Sequence, residues 1–432
     1  MGPNMQASIE APAARVSRQA WLTLFLLYLL NTMLVLDKIV FTVLLEPIKS
    51  EFELSDLQLG LITGAGYAVF FGIASIPFGI LADRYNRRNL AAACLTFWSG
   101  MTALCGMATT FPALLAARLG VGVGEAGGGP ASLSMISDLF EHRRRATAMA
   151  IFSLGSPTAA LINLTMNTKV AHDYGWRTAL YANCVIGLIL AVAIWFFVRE
   201  PKRETPLGGA GKDKGPTLKA TLQHIWRTHS LRMLIAGGAI AYTVVAGMSA
   251  FNFSFLVRVH KVDLHEVGPV LGVAIASVGI VGLFTSGRMA DVLARRDERW
   301  RAWVPAITTL ASIPFGLGAF LTSNWTVAVL CTAGLAATVT LWLAPGYALS
   351  QSLAPERMRG KIGAILFLLA NLVGFGLGPP AIGLLSDLYA SGGFAVPLRW
   401  ALITGLCVNS ISALLFLLAA RTVREDLKRA KV

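Results

Sequence analysis

The sequence predicts an all-α membrane protein in which twelve transmembrane helices form two six-helix bundles. The chain of 432 residues is 55% hydrophobic and only 14% charged, whereas ordinary globular domains carry about 25% charged residues. Its apolar residues fall in blocks that are long enough to cross a bilayer. Polar signatures between the blocks also recur after roughly 210 residues, which indicates an internal duplication.

The individual spans follow from block length, because a helix of roughly 20 apolar residues crosses a hydrocarbon core about 30 Å thick. A soluble protein of this length would instead show helices with one polar face, and these blocks are apolar all round. The predicted spans, numbered 1 to 12, are 20–45, 57–81, 90–109, 111–138, 146–168, 176–198, 231–257, 266–287, 302–322, 325–350, 361–385 and 396–420.

The longest polar interruption, 199–230, divides the spans six and six. Its first part is rich in Pro, Gly and Lys, which is typical of a flexible linker. Its second part places Leu218, Leu222, Ile225 and Trp226 on one helical face, which predicts a short helix on the membrane surface. The predicted domains are a tail at 1–19, a bundle at 20–198, the linker at 199–230, a second bundle at 231–420 and a tail at 421–432.

The net charge of +14 comes from membrane topology rather than from nucleic-acid binding. If the spans alternate, 28 of the 37 Lys and Arg residues lie on the side that holds both termini and the linker. This positive-inside bias predicts cytoplasmic termini, in a multi-pass protein of the cell inner membrane. The excess also favours contact with anionic lipid headgroups, so the bilayer is an expected partner and nucleic acid is not.

Cysteine and histidine give no sign of a metal, a cofactor or an enzyme. The five cysteines lie in apolar blocks without a CxxC pattern, and the six histidines all lie in connections. No nucleophile–base pair falls within a span, so we predict neither catalysis nor a bound metal. A channel is disfavoured too, because no ring of charges or carbonyl groups is indicated.

Two signatures mark the duplication and suggest a function. Gly79-Ile-Leu-Ala-Asp83-Arg84 follows span 2, and Gly287-Arg-Met-Ala-Asp291 follows span 8, which places the two aspartates 208 residues apart. Two six-span halves joined by a cytoplasmic linker are typical of a secondary transporter whose site lies near the bilayer midplane.

The residues Gly79-x-x-x-Asp83-Arg84-x-Asn86-Arg87-Arg88 resemble the loop 2–3 signature of the major facilitator superfamily. Asn86 stands where that family usually has Gly, and Asn is the best substitute for Gly in a left-handed turn. The resemblance implies the twelve-helix fold and a cytoplasmic gate that latches the halves when the outside is open. The residues predicted for this gate are Asp83, Arg84, Arg87, Arg88, Asp138 and Arg145.

A narrower resemblance is to the spinster subfamily of lysolipid and sphingolipid transporters. It rests on Leu36-Asp37-Lys38, on Phe52-Glu-Leu-Ser-Asp56-Leu-Gln58-Leu-Gly60-Leu61 and on Arg118-Leu-Gly-Val-Gly122-Val-Gly124-Glu125-Ala126. That subfamily usually has Arg where this chain has Lys38, and Lys can lose its proton when it is desolvated whereas Arg cannot.

Four charges inside the spans are the candidate substrate and proton site. At 1.5 Å per residue, Arg118 lies about 10 Å into span 4, Glu125 about 10 Å deeper, and Asp37 in span 1 at roughly the depth of Arg118. We predict that Asp37, Lys38, Arg118 and Glu125 form one cluster in which Arg118 offsets Asp37. The alternatives are a static salt-bridge network and, for Lys38, a side chain that reaches the interface.

The predicted mechanism is proton-coupled alternating access. Protonation of Glu125 would release Arg118 to bind a phosphate or carboxylate headgroup. The C-terminal half would supply an apolar wall for the rest of an amphiphile, with lining residues predicted at Phe253, Trp342, Tyr347 and Asn371. We therefore predict a monomeric transporter of a lysophospholipid or sphingoid-like lipid. The alternative is a proton-coupled transporter of small organic anions or drugs on the same fold.

Overall fold

The protein is helical throughout the residues described by the computed structural model, 17–201 and 216–430. The predicted tail residues 1–16 and 431–432 and the linker residues 202–215 lie outside the described residues. For Asp291 the backbone is described but the side chain is not. Within the described residues, ten helical stretches are long and apolar enough to cross a bilayer: Arg18–Phe52, Asp56–Arg84, Arg87–Met107, Thr147–Tyr174, Trp176–Phe197, His229–His260, Trp300–Leu321, Trp325–Ser352, Glu356–Ser391 and Pro397–Arg429.

The other two predicted spans are helical as well. Span 4 forms two helices, Phe111–Glu125 and Gly128–Leu139, and span 8 forms one helix, Leu264–Ala294. The predicted twelve-helix, all-α architecture is thereby confirmed. Span 4 is divided after Glu125, so each of its two helices, of 15 and 12 residues, is too short to cross a bilayer alone.

The chain reverses at two faces of the bundle. We call the face that holds both termini and the linker the linker face, and the other the opposite face. At the linker face the Gln19 amide donates to the Phe197 carbonyl (2.6 Å), and Arg424 pairs with Asp297 (2.6 Å). At the opposite face Arg177 pairs with Glu51 (2.5 Å), which joins the start of span 6 to the end of span 1.

Several spans are locally irregular near mid-depth. Span 1 is interrupted at Val40, between helices Arg18–Ile39 and Phe41–Phe52. Spans 2, 5 and 11 each contain a π-helical segment, at Leu61–Ala65, Asn163–Asn167 and Ala370–Phe375. Single π-helical turns within α-helices are frequent at functional sites. These irregularities therefore direct attention to the middle of the bundle.

Spans 2 and 11 touch closely across the two halves. A Cβ atom at Gly60 would lie 2.5 Å from the Pro379 carbonyl oxygen, and one at Gly383 would collide with the Asp56 carbonyl. Only glycine allows two backbones to approach in this way. The two halves are therefore packed backbone to backbone near the opposite face.

Part of the linker folds into helix Leu218–Arg227, whose first turn is capped by the Thr217 hydroxyl accepting from the Ala220 amide. Leu218 and Trp226 are exposed, whereas Ile225 packs against the C-terminal half. An exposed apolar stripe beside a bilayer suits a helix that lies in the membrane interface.

Candidate functional site

The interruption of span 1 is produced by side chains from other spans. Arg118 donates to the carbonyl oxygens of Asp37 (2.9 Å) and Lys38 (3.0 Å). The Asn163 amide, in the π-helical segment of span 5, donates to the carbonyl of Ile39 (3.1 Å). Three consecutive carbonyls of span 1 therefore accept hydrogen bonds from neighbouring spans, where a regular helix would use them internally. Spans 4 and 5 thus fix the irregular backbone of span 1.

The hydrogen bonds of the Arg118 side chain all go to backbone carbonyl groups. Its side chain is buried, with 1% exposed, and its Nε also donates to the Ile62 carbonyl (3.4 Å). The guanidinium carbon lies 4.7 Å from the centre of the Phe41 ring. Because carbonyl groups and an aromatic face hold it, Arg118 is a positioning residue for span 1 in this conformation.

Asp37 does not pair with the Arg118 side chain through its carboxylate. Its carboxylate is turned toward span 3, where it accepts from Trp98 Nε1 (3.0 Å) and Thr102 Oγ1 (3.5 Å). The residue is 1% exposed. The predicted compensation of Asp37 by Arg118 therefore does not take the form of a direct ion pair, because Arg118 binds the backbone carbonyl of Asp37 instead. Helical spacing gives the depth of a residue, but the direction of its side chain is decided by tertiary partners.

Glu125 ends the first helix of span 4 and is completely buried, with 0% exposed. Its Oε2 accepts from the Tyr67 hydroxyl (2.6 Å), and its Oε1 has no hydrogen-bond partner in the described chain. A buried charge is costly unless it is paired and hydrogen-bonded. Glu125 is therefore a carboxyl group whose second oxygen has capacity for a proton or a new partner.

Lys38 contacts both halves of the protein at mid-depth. It is partly exposed, and its Nζ donates to Asn371 Oδ1 in span 11 (3.2 Å). The same nitrogen lies 3.7 Å from the centre of the Phe375 ring and 5.5 Å from that of Tyr67. Aromatic faces stabilise a cation in this arrangement. Lys38 therefore points into the junction of the halves rather than toward a membrane interface.

These residues define the central polar site: Lys38, Tyr67, Arg118, Glu125 and Asn371. The sequence analysis identified four of them. It missed Tyr67, because a tyrosine in a membrane span usually serves only to pack against other side chains. Asn371 lies in a π-helical segment, and Asn163, 208 residues earlier, lies in another. Both asparagines contact span 1, and their separation equals that of the duplicated aspartates Asp83 and Asp291.

The other predicted cavity-lining residues have different environments. Trp342 is 1% exposed and packs against Phe416 inside the C-terminal half, so its predicted lining role is wrong. Phe253 is partly buried against the main hydrophobic core, whereas Tyr347 is half exposed. From the C-terminal half, Phe375 reaches the central site, where its ring contacts Lys38.

The predicted cytoplasmic gate divides into exposed and buried members. Arg87 is buried and binds Asp138 (2.5 Å) and Glu200 (2.8 Å). Arg145 donates to carbonyls within the N-terminal half, at Ser137 (2.5 Å) and Phe140 (3.4 Å). Asp83 and Arg84 are exposed, and Arg88 is partly exposed. That these gate residues hold the two halves together when the outside is open remains a prediction.

A second polar cluster seals the opposite face. Arg258 in span 7 binds Glu46 (2.9 and 3.0 Å) and Asp56 (2.8 and 2.9 Å), both in the N-terminal half. Asp56 also accepts from Lys49 (2.5 Å) and Ser386 (2.6 Å). We call these five residues the opposite-face network. Two-pronged arginine–carboxylate contacts are among the strongest polar contacts in proteins, so the network holds the halves together at this face.

Span 11 reinforces the same contact through backbone groups. The two oxygens of Asp387 accept from the backbone amides of Asp56 (3.0 Å) and Leu57 (2.9 Å). These amides lie in the first turn of span 2. The N–H groups at the start of a helix have no acceptor within the helix, and they favour a negative charge nearby. One half therefore caps a helix of the other.

Removing Arg258 should loosen this face. Arg258→Ala leaves Asp56 and Glu46 without their shared cation, which disfavours the closed arrangement. We expect double electron–electron resonance between labels at Ser50→Cys and Ser391→Cys, in a chain without its native cysteines, to show a longer distance population. Arg232→Ala, at the other end of the same span, should leave the distances unchanged. Identical distributions for Arg258→Ala and the parent would contradict the sealing role.

Comparison with known proteins agrees with this architecture. Residues 20–379 match the family model described as Major Facilitator Superfamily. An MFS-type efflux pump of Mycolicibacterium smegmatis is 32% identical over 98% of each chain. Protein spinster of Drosophila melanogaster is 24% identical over 89% of this chain and 65% of its own length.

A solved structure shows the same arrangement of helices. It is a bacterial homologue of the human lysosomal transporter spinster, in an inward-facing and unoccupied conformation. It is 27% identical, with a TM-score of 0.85 over 95% of this chain and 98% of that one. Together with the helices long enough to span a bilayer, these matches identify an integral, multi-pass transport protein rather than an enzyme. The chain belongs to the Major Facilitator Superfamily.

Proposed function

We propose that this protein is a proton-coupled transporter of an amphiphilic lipid with an anionic or zwitterionic headgroup, such as a lysophospholipid or a sphingoid-like lipid. It works by alternating access as a monomer in the cell inner membrane, with the linker face in the cytoplasm, as the positive-inside bias indicates. The sealed opposite face then corresponds to an inward-facing state. The inward-facing state of the spinster homologue with a TM-score of 0.85 supports this assignment.

The observation that carries the proposal is the position of Lys38. It is a partly exposed cation at mid-depth that contacts both halves, through Asn371 and the ring of Phe375. A transporter must bind its substrate where the two halves meet, so that binding changes their relative stability. Lys38 offers a point charge for a phosphate or carboxylate at that place.

Tyr67 connects this cation to the proton-carrying group. Its hydroxyl binds Glu125 (2.6 Å), and its ring lies 5.5 Å from Lys38 Nζ. Glu125 makes no direct ion pair with a lysine or arginine of the described chain. We assign the transported proton to Glu125, because it is buried without a direct ion pair and, unlike Asp37, keeps one carboxyl oxygen without a hydrogen-bond partner in the described chain.

Arg118 takes a different role from the one that the sequence suggested. Its donors hold the carbonyls of Asp37 and Lys38, so it fixes the backbone that presents Lys38. The headgroup is therefore assigned to Lys38. Protonation of Glu125 changes the charge beside Lys38 and so changes the affinity for an anion. An inward proton supplies about 2.3 kcal/mol per 100 mV of membrane potential.

The lipid assignment is supported by the apolar surroundings of the cation and by the resemblance to the spinster subfamily of lysolipid and sphingolipid transporters, with which the two spinster relatives agree. An aromatic ring directly against an ammonium group leaves an apolar surface for an acyl chain. A second candidate is a small organic anion or a drug. The similarity to the efflux pump of Mycolicibacterium smegmatis, at 32% identity, favours it.

Uptake into proteoliposomes separates the two candidates. Purified protein is reconstituted and supplied with a labelled lysophospholipid, a sphingoid phosphate or a set of small organic acids, each with and without a pH gradient. The proposal predicts saturable lipid transport that increases with the gradient and disappears with a protonophore. Transport of organic acids without lipid transport would favour the second candidate, and transport indifferent to the gradient would refute proton coupling.

A further inference from the structure

We propose that the opposite face carries a binding site for a transition-metal ion, formed by His172, Asp263 and His265. His172 ends span 5 of the N-terminal half, whereas Asp263 and His265 begin span 8 of the C-terminal half. One ligand atom from each residue lies within 4.8 Å of the others. The sequence alone does not group these residues, because Asp263 and His265 lie 91 and 93 residues after His172.

The distances suit a small cation. His172 Nε2 and Asp263 Oδ2 are 3.6 Å apart, which is long for a hydrogen bond. Two ligand atoms on one tetrahedral Zn²⁺ lie roughly 3.4 Å apart, since each bond is about 2.0–2.2 Å long. The His172 and His265 rings are stacked, with centres 4.7 Å apart, so one ring must turn out of the stack for both imidazoles to bind the same ion.

The orientation of His172 is also that of a metal ligand. Its Nδ1 contacts Asp173 Oδ1 (3.0 Å), which leaves Nε2 facing Asp263. Metal-binding histidines usually donate their second nitrogen to a carboxylate, which fixes the ring and strengthens the ligand. Asp173 is itself held by Lys169 (3.3 Å). Asp173 therefore acts as a positioning residue for the proposed site.

An ion can reach the site from solution. His172, Asp263 and His265 border an open cavity of about 620 Å³ that also contains Glu46 and Arg258 of the opposite-face network. The carboxylates of Glu46 and Asp263 counter the positive charges of Arg258 and Lys261 in this cavity. Two imidazoles and one carboxylate favour Zn²⁺, Ni²⁺ or Cu²⁺ over Mg²⁺.

Because its ligands come from both halves, the site would bind metal in the closed arrangement of the opposite face. Ligands that bind one conformation shift the equilibrium toward it. Bound metal would therefore hold this face shut and inhibit transport from the outside. Metal binding itself does not depend on the identity of the substrate.

Isothermal titration of ZnCl₂ into the full-length protein, with any affinity tag removed, tests the site. We expect one ion per chain, and an affinity reduced at least tenfold by His172→Ala and equally by His265→Ala. Asp173→Asn should weaken binding by about 10- to 100-fold. His260→Ala, at a histidine outside the cluster, should have no effect, and Mg²⁺ should not compete.

Two results would overturn the proposal. One is the absence of saturable Zn²⁺ binding by the parent protein up to millimolar concentration. The other is Zn²⁺ binding that either histidine variant leaves unchanged, since this would place the metal on one half or elsewhere. The substituted side chains are exposed or partly exposed, and an unchanged melting temperature of each variant confirms that the fold is intact.

Discussion

Lys38→Ala should weaken substrate binding by about 10- to 100-fold, because a hydrogen bond to a charged group contributes roughly 1.5–3 kcal/mol. Lys38 is the partly exposed cation of the central polar site, and its nitrogen contacts Asn371 across the halves. The loss should appear as a higher KM for uptake and a smaller thermal shift on adding substrate. Lys38→Arg, which restores the residue usual in the resembled subfamily, should retain much of the activity.

Two controls show whether the effect is local. Lys219→Ala removes an exposed lysine of the linker helix and should transport like the parent. Arg118→Ala should behave differently from Lys38→Ala, because it frees three carbonyl groups that Arg118 now satisfies. It is expected to lower the melting temperature even without substrate. Full substrate affinity in Lys38→Ala would remove Lys38 from the binding site.

Glu125→Gln should abolish accumulation driven by a pH gradient. Glutamine keeps the shape of the side chain and can accept from the Tyr67 hydroxyl, but it cannot gain or lose the proton. We expect substrate exchange between equal concentrations on the two sides to persist, while uphill uptake falls to the level seen with a protonophore. Parallel measurements of exchange and of gradient-driven uptake separate coupling from binding.

The matched control is Glu356→Gln, at an exposed acidic residue whose side chain is 87% accessible. It should leave both kinds of transport unchanged. Gradient-driven uptake that survives in Glu125→Gln would exclude Glu125 as the coupling residue, and attention would then pass to Asp37, the other buried acid of this region. Loss of exchange as well as uptake would mean that the substitution damages binding rather than coupling.

The architecture could be predicted because it depends on composition and length alone. Apolar blocks and the asymmetry of basic residues arise from the bilayer itself, which leaves few alternatives for an apolar chain, and the repeated signatures show the internal duplication. The buried charges Arg118 and Glu125 were likewise conspicuous, since intramembrane charges are rare and functional. These two features of the sequence identified the fold and the approximate location of the central polar site.

The pairing within the site could not be predicted in the same way. Asp37 and Lys38 are neighbours, but adjacent residues point about 100° apart on a helix, so one faces Trp98 and the other Asn371. The interruption at Val40 has no glycine or proline next to it. It arises from hydrogen bonds supplied by Arg118 and Asn163, which are distant in sequence.

The opposite-face network was missed for a related reason. Asp56 and Arg258 lie near span ends, where charges are expected and ordinarily solvated. They are 202 residues apart in the chain, and they matter because they meet where the two halves touch. The sequence indicated Asp56 only as part of a stretch that resembles the spinster subfamily. Such a motif identifies a residue but not the side chain that it contacts in the fold.

The interrupted span 1 makes the two duplicated halves mechanically unequal. Its upper arm, Phe41–Phe52, carries Glu46 and Lys49 of the opposite-face network, and its joint lies beside Lys38. Span 7, the corresponding helix of the other half, runs unbroken as His229–His260. Lys38 lies only eight residues from Glu46 of the opposite-face network. If Lys38 binds the substrate as proposed, we expect the opposite face to open by bending of span 1 at Val40 rather than by bending of span 7.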